Sequence, residues 1–237
     1  MREAGDAIVP GVPQWVHGSH PALNYRGNSV PRHKMWFQRD DPFVHGWRNY
    51  SYTGWQNRIM PATSAWGNCP IVQAIASRYD GFCDDHQIMR ANHAIVTAYN
   101  SPADCIGAHS DKARTICPSG GLASMITVVK LGPGSRRFVI TDLDGAVLFD
   151  QRLEPGTAVM MPLETNLATK HAVPAVSADE YDGPSGSLVF RSIRTRVSHA
   201  ALTKKLRSAT YKSSGTKRPS SSAAVLPRAI SPDLLAA

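Results

Sequence analysis

His109 and Asp111 form a candidate pair of metal ligands, because an imidazole and a carboxylate two residues apart can bind one metal ion. In an extended strand, side chains at this spacing point to the same face. His171, 62 residues downstream, would be the third ligand if a strand folds back beside the pair. Two histidines and one carboxylate leave coordination positions open, which suits ferrous iron that also binds a co-substrate and oxygen. A lone H-x-D motif is weak evidence, and a surface or core position is the commoner role for an isolated histidine.

Arg191 is a second candidate, because it ends the apolar segment 187–190. A guanidinium that points into a barrel is costly unless an anion meets it. Arg191 in that orientation therefore indicates a carboxylate ligand, such as a dicarboxylate co-substrate. The alternative is an outward-facing arginine at the end of a strand.

The elements that must position these groups are short segments rich in β-branched residues. Gly, Pro, Asp or Asn bound each segment, which favours closely spaced antiparallel strands over a parallel sheet that alternates with helices. These segments are residues 94–99, 123–131, 137–141, 146–149, 157–161, 172–176 and 187–193. The clearest helix covers residues 70–79, with Pro70 in its first turn and apolar residues at helical spacing. The predicted fold is mainly β with flanking helices, an all-β sandwich or double-stranded barrel.

The order of the motifs resembles that of the AlkB-like iron(II)- and 2-oxoglutarate-dependent dioxygenases. An asparagine-led strand that ends in tyrosine, an H-x-D motif, a distal histidine and a closing S-L-x-F-R strand stand at residues 92–99, 109–111, 171 and 187–191. Residues 130–138 are similar to the family's L-G-x-x-R-x-F hairpin, and residues 154–161 to its G-x-x-x-x-M strand. The resemblance covers roughly residues 24–197.

This resemblance implies a double-stranded β-helix, or jelly-roll barrel, that demethylates N-alkylated nucleobases in DNA or RNA by oxidation. It implies that Fe(II) is held by His109, Asp111 and His171. It implies that 2-oxoglutarate, the co-substrate, is contacted by Tyr99, Ser187 and Arg191. The oxidised methyl group would leave as formaldehyde, while the protein excludes water and aims the methyl group at the metal.

The implied partner is single-stranded or flipped-out nucleic acid that carries a methylated base, since a stacked base cannot reach such a pocket. Segments 29–32, 35–37 and 50–54 look like the family's nucleotide-recognition lid. The candidate substrate contacts in them are Arg32, Trp36, Phe37 and Tyr52. The aromatic members would stack on the base, with a place in the core as the alternative for each.

Three positions depart from the family pattern. Ser185 stands where an arginine usually binds the far carboxylate of 2-oxoglutarate, and Thr97 replaces an asparagine. Arg194 and Arg196 are candidates to substitute for the missing cation, but strand geometry does not ensure that either side chain reaches inward. Basic residues in segment 112–114 follow the H-x-D motif, where many members carry acidic residues that read the base. Two alternatives therefore stay open: a dioxygenase of the same fold that hydroxylates a protein or small molecule, and a catalytically weakened nucleic-acid-binding module.

Length and charge bound the remaining expectations. The chain has 237 residues, which suits one domain, and a formal net charge of +8, which favours a nucleic-acid partner. No apolar run approaches the roughly 20 residues of a membrane span, and residues 1–10 lack the pattern of a secretory signal. We expect an intracellular monomer that does not bind membranes. Four cysteines without metal spacing are expected to be free thiols.

The predicted domain boundaries follow from these patterns. Residues 1–20 are an N-terminal extension, and residues 21–200 form the dioxygenase domain, with a lid at about 24–60 and a jelly-roll core at about 92–197. Residues 201–237 form a basic tail with few large apolar side chains, which predicts disorder. The tail would follow phosphates or act as a nuclear address, with a merely solubilising extension as the alternative.

Overall fold

A computed structural model describes residues 24–25, 28–29, 32–51, 59–61 and 64–197. The predicted N-terminal extension, the basic tail and Tyr52 lie outside these described residues. No helix in the described part of the chain is both long and apolar enough to cross a membrane. All four cysteines are free thiols.

Fifteen strands and three α-helices are described. The strands are β1 (Asn24–Tyr25), β2 (Asn28–Ser29), β3 (His33–Gln38), β4 (Trp47–Ser51), β5 (Ile59–Pro61), β6 (Ser64–Ala65), β7 (His93–Tyr99), β8 (Ile106–His109), β9 (Met125–Leu131), β10 (Arg136–Asp142), β11 (Val147–Leu153), β12 (Ala158–Pro162), β13 (Thr169–Val173), β14 (Ser185–Arg191) and β15 (Arg196–Val197). The helices are α1 (Pro42–His45), α2 (Pro70–Asp85) and α3 (Leu163–Ala168).

Two sheets form the core of the fold. The larger has the order β12-β9-β14-β7-β3-β6, and the smaller has the order β11-β10-β13-β8. From β7 to β14 the chain passes from one sheet to the other at every connection except the β10–β11 hairpin. Neighbouring strands in the two sheets are antiparallel, except for β3 and β6, which are parallel. Strands that alternate between two sheets in this way make a jelly roll, so the predicted fold class is confirmed.

The predicted strands lie within three or four residues of the observed ones, whereas strands β1 to β6, β8 and β15 and helices α1 and α3 were not predicted. Of these, β8 and α3 help to build the candidate site. Strand β8 carries His109 although its Gly107-Ala108 centre has little β propensity. Helix α3 has only six residues and begins directly after Pro162. It is too short to show the repeated spacing of apolar residues by which a helix is predicted. Both elements are defined by their neighbours in space more than by their own composition.

Helix α2 covers the outer face of the larger sheet. Its buried side chains Val72, Ala76, Tyr79 and Cys83 recur at helical spacing and pack against the sheet. The ring of Tyr79 stacks on that of Phe190 with centroids 5.2 Å apart. Burial of Cys83 continues this stripe for one turn beyond the predicted end at residue 79, which explains why the helix extends to Asp85.

A second apolar cluster fills the space between the two sheets. Tyr99, Val128, Phe138, Leu153 and Val173 form its buried centre and come from strands of both sheets. Because side chains alternate along a strand, every second residue of β7, β10 and β14 faces this interior. The polar residues on those same faces define the candidate site.

Candidate metal centre

Antiparallel pairing of β8 and β13 brings the two histidines together. His171 is the register partner of His109, and their ring centroids lie 4.4 Å apart. Asp111 follows β8 by two residues, and one ligand atom from each of the three side chains lies within 4.8 Å of the others. The structure therefore places the three predicted metal ligands around one point at the edge of the smaller sheet.

A hydrogen bond to the backbone holds the His109 ring in a defined orientation. Nδ1 of His109 lies 2.9 Å from the carbonyl oxygen of Gly107, which favours a proton on Nδ1. Nε2 then faces the centre, 3.8 Å from Oδ1 of Asp111. The side chain of His109 is 40% exposed and that of Asp111 is 2% exposed, so the centre opens to solvent on the His109 side.

The segment that carries Asp111 is fixed by Asn166 of helix α3. Its Oδ1 accepts a hydrogen bond from the backbone N–H of Asp111 at 2.7 Å, and its Nδ2 donates to the carbonyl of Asp111 at 2.9 Å. Asn166 is fully buried. The hydroxyl of Ser110 donates to the carbonyl of Thr169, the first residue of β13, at 2.6 Å. These bonds tie Asp111 to the element that carries His171, and no sequence motif marked Asn166.

The electrostatics of the centre favour metal binding. Burial alone would raise the pKa of Asp111, but Arg191 and the two imidazoles outweigh it and hold that pKa well below its usual range. Burial, helped by the neighbouring His109, lowers the pKa of His171 to about 3. Burial also lowers the pKa of His109. The carboxylate is thus ionised and both imidazoles are neutral, which are the protonation states that metal ligation requires.

These residues fit a divalent metal ion. Nδ1 of His171 is buried without a hydrogen-bond partner among the described residues, so this ring has a nitrogen that a metal ion could satisfy. Two imidazole nitrogens and one carboxylate oxygen match the ligand set that non-haem iron(II) sites use, and they leave positions for other ligands. The set is also compatible with related divalent ions.

Arg191 lies at the end of β14 and pairs with the carboxylate of Asp111. Its Nε donates to Oδ2 of Asp111 at 2.5 Å, and its side chain is 6% exposed. The sequence predicted that burial of Arg191 requires an added carboxylate. The structure instead supplies a carboxylate from the chain itself, so contact of Arg191 with 2-oxoglutarate stays a prediction.

Tyr99 and Ser187 lie in the interior between the sheets. Both are buried, and Ser187 is the register partner of Thr97, two residues before Tyr99. Burial raises the pKa of Tyr99 to about 12, although Arg32 opposes the shift. The Tyr99 phenol therefore keeps its proton at neutral pH and can donate it to an acceptor.

Two buried cations on the interior faces were not predicted. Lys34 of β3 is the register partner of Thr97, and its Nζ donates to Oγ1 of Thr97 at 3.3 Å. Arg136 begins β10, and its guanidinium lies over the ring of Tyr99. The alternation of side chains along β10 could have identified Arg136 as facing the interior, because Phe138, two residues further on, belongs to the interior cluster.

Neither residue that was expected to replace the arginine missing at Ser185 reaches the interior. Arg194 is exposed and its Nε donates to the carbonyl of Arg114 at 2.8 Å. Arg196 is also exposed and pairs with Asp40. Strand β14 ends at Arg191, so both side chains follow a loop that leaves the barrel. Neither side chain therefore supplies the cation that is missing at Ser185.

The candidate substrate contacts occupy different places. Arg32 is half-buried and its Nη1 donates to the carbonyl of Cys105 at 2.7 Å, next to the β7–β8 connection. Trp36 is 1% exposed and pairs in register with Ile95. Phe37 is fully buried in the cluster beneath α2, on the far side of the sheet from the interior. Phe37 thus has the core role that was its alternative, and Tyr52 lies outside the described residues.

Replacement of Asn166 by alanine is expected to weaken metal binding about 10- to 100-fold, because Asn166 positions Asp111 without touching the metal itself. The same change leaves two buried backbone groups unpaired, so the free energy of unfolding should fall by about 1–3 kcal/mol. Titration with Mn(II) and chemical denaturation measure the two effects separately. Leu167→Ala is the matched control, since Leu167 is on the same helix and 60% exposed. Unchanged Mn(II) affinity in Asn166→Ala would limit Asn166 to a role in stability.

Comparison with known proteins finds similarity to solved structures alone. No protein-family model and no curated protein matches the chain. Among solved structures, the chain is similar to OsALKBH1, with 17% sequence identity and a TM-score of 0.47 over 80% of this chain and 88% of that one. Peruvianin-I, a cysteine peptidase from Thevetia peruviana latex, matches with 10% identity and a TM-score of 0.30 over 44% of this chain and 52% of that one.

Proposed function

We propose that this protein is an iron(II)- and 2-oxoglutarate-dependent dioxygenase that removes N-methyl groups from nucleobases by oxidation. The observation that carries the proposal is the convergence of His109, Asp111 and His171 in a jelly roll, with ligand atoms within 4.8 Å of one another. Two nitrogen ligands and one oxygen ligand on one side of a metal leave the other side for co-substrate and oxygen. The N-methyl carbon would be hydroxylated and then released as formaldehyde.

His109, Asp111 and His171 would hold the iron, which when bound supplies the oxidising chemistry together with oxygen and 2-oxoglutarate. The chain's own contribution is positioning. Asn166 fixes the backbone of Asp111, and Arg191 keeps its carboxylate ionised and oriented. The apolar cluster between the sheets excludes water from the inner side of the centre.

An excess of buried positive charge supports a dicarboxylate co-substrate. Among the described residues, the buried basic side chains outnumber the one buried carboxylate, that of Asp111; they are Lys34, Lys130, Arg136 and Arg191. Burial lowers the pKa of Lys34 well below its usual range, so the two arginines and Lys130 carry the excess of positive charge. Burial lowers the pKa of Lys130 to about 8, so it is still mostly protonated at neutral pH. A bound divalent metal would add further positive charge to the same interior. A dianion such as 2-oxoglutarate would balance this charge.

A group of basic residues beside the metal centre supports a nucleic-acid substrate. Lys112 and Arg114 directly follow Asp111, and Arg194 contacts the backbone of Arg114. Burial, and after it the positive charge of Arg114, lowers the pKa of Lys112, so the two cations are near neighbours. Cations that follow a candidate metal ligand in the chain would favour binding of phosphates on either side of an inserted base. The formal net charge of +8 acts in the same direction.

The proposal is tested by incubation of the purified protein with Fe(II), ascorbate, 2-oxoglutarate and single-stranded oligonucleotides that carry 1-methyladenine, 3-methylcytosine or N6-methyladenine. Release of formaldehyde and succinate in equal amounts from at least one oligonucleotide is the expected result. Both products should disappear when Fe(II) is omitted. The ratio of rates among the three oligonucleotides would rank the preferred base.

Other outcomes separate the alternatives. Succinate without formaldehyde would keep the dioxygenase but assign it a protein or a small molecule as substrate. Neither product, with tight binding of the oligonucleotide, would favour a nucleic-acid-binding module and contradict the proposed activity.

A further inference from the structure

Arg136 is a buried arginine whose polar atoms are only partly satisfied. The residue is 3% exposed. Its Nη2 donates to the carbonyl of Ser101 at 2.5 Å, whereas Nε and Nη1 are buried without a hydrogen-bond partner among the described residues. It has no salt bridge to any described carboxylate, in contrast to Arg191. Unsatisfied guanidinium donors in a buried place are costly, so their presence indicates an acceptor that binds there.

The surroundings of Arg136 hold the guanidinium in one place. It lies over the rings of Tyr99 and Tyr181, with its central carbon 5.6 Å and 5.4 Å from their centroids. Such cation–π contacts orient the guanidinium plane but supply no acceptor for its N–H groups. The donors are therefore preorganised for a planar anion such as a carboxylate.

Ser185 lies at the same end of the interior. It is the register partner of Tyr99, and its Oγ is buried without a hydrogen-bond partner among the described residues. The backbone N–H of Gly134 donates to the carbonyl of Pro184 at 3.0 Å, which holds the segment before Arg136 against the segment before Ser185. A Cβ at Gly134 would lie 2.3 Å from the carbonyl oxygen of Gly183, so this close approach requires glycine.

We infer that Arg136, together with Tyr99 and Ser185, binds the distal carboxylate of the dicarboxylate co-substrate. This inference rests on the proposed function, because the other carboxylate is assigned to the metal centre. Arg136 would donate a charge-assisted hydrogen bond from a free guanidinium N–H to the carboxylate, with the two hydroxyls as further donors. The cation absent from β14 at Ser185 would thus be supplied from β10, across the barrel interior.

The test measures binding and does not depend on turnover. The full chain is loaded with Mn(II) without oxygen and titrated calorimetrically with 2-oxoglutarate and with 2-oxopentanoate, which replaces the distal carboxylate by a methyl group. Arg136→Met is expected to weaken 2-oxoglutarate binding about 10- to 100-fold, the range for one charged hydrogen-bonding group. It should leave 2-oxopentanoate affinity unchanged, because that ligand has no distal carboxylate.

Arg137→Met is the matched control. Arg137 is the next residue along β10, with a 56% exposed side chain that pairs with Asp150 outside the barrel. Its replacement removes the same charge from the adjacent position and should leave both affinities unchanged. Arg136→Lys retains a positive charge without the guanidinium plane, so its 2-oxoglutarate affinity should fall between those of the wild type and Arg136→Met.

Ser185→Arg in the Arg136→Met background provides a gain-of-function test. An arginine at 185 enters the interior beside Tyr99, so the double variant should recover most of the 2-oxoglutarate affinity. Thermal unfolding of every variant confirms that the fold is retained.

Equal loss of both ligands in Arg136→Met, or no loss of either, would overturn the assignment of Arg136. Loss of the preference for 2-oxoglutarate in Lys34→Met but not in Arg136→Met would move the anchor to Lys34 and overturn it likewise. Failure of the Mn(II)-loaded wild type to bind 2-oxoglutarate would instead contradict the proposed function, and the inference would fall with it.

Discussion

His109→Ala is expected to weaken metal binding by more than about 100-fold, because loss of a direct ligand should exceed the effect of a supporting residue. Release of formaldehyde and succinate should become undetectable. The free energy of unfolding should change by about 1 kcal/mol or less, since the His109 side chain is 40% exposed and leaves no large cavity. Mn(II) titration, product release and chemical denaturation measure the three effects.

His45→Ala is the control for this change, because His45 is exposed in the short helix α1 and distant in sequence from the ligands. Its metal affinity and turnover should equal those of the wild type. Metal-dependent turnover that persists in His109→Ala would contradict the assignment of the centre. A drop in stability as large as that in metal affinity would mean that His109 is mainly a structural residue.

Arg191→Met is expected to lower the free energy of unfolding of the metal-free protein by about 3–5 kcal/mol, because it leaves the Asp111 carboxylate buried without its guanidinium partner. Both side chains are at most 6% exposed, so solvent does not replace the lost interaction. Excess Mn(II) should restore part of this stability, since a bound cation then faces the same carboxylate. Denaturation with and without Mn(II) measures the difference, and titration of turnover with 2-oxoglutarate should show a raised requirement.

Two further variants define the origin of the effect. Arg90→Met removes an ion pair with Asp84 in which both side chains are half exposed, so solvent screens the pair and the free energy of unfolding should hardly change. Asp111→Leu added to Arg191→Met removes the unpaired carboxylate and should recover stability while abolishing metal binding. If Arg191→Met is as stable as the wild type without metal, the buried pair is not what holds Asp111. If its 2-oxoglutarate requirement is unchanged, another residue binds the co-substrate.

In the candidate metal centre, the carboxylate of Asp111 has two roles, as the partner of Arg191 and as a candidate metal ligand. Asp111 pairs with Arg191 at 2.5 Å and also faces both histidines. Because the guanidinium keeps the carboxylate ionised, the ligand is ready for a metal before one binds. Arg136 differs in this respect, since no described carboxylate pairs with it. The contrast between the two arginines is the reason that the distal anchor is assigned to Arg136.

Much of the fold was predictable from local pattern. Short β-branched segments bounded by turn residues identified seven of the strands in the two main sheets, because alternation and turn chemistry act within a few residues. Pro70 and the apolar spacing after it located helix α2. H-x-D and the distant His171 were candidates by residue type and order, and their convergence required only that β13 return beside β8.

The sequence alone thus determined the strand-rich class, the candidate ligands and the basic charge, since these depend on residue type and short-range spacing. Only the tertiary structure decided which polar groups meet across strands. It pairs Arg191 with Asp111, places Asn166 on the backbone of Asp111, and puts Phe37 beneath α2. Each of these contacts joins residues that are distant in the chain, or depends on which face of a strand a side chain occupies, and neither can be read from a single position in the sequence. Register and strand order, which arise from packing of the whole barrel, determine them.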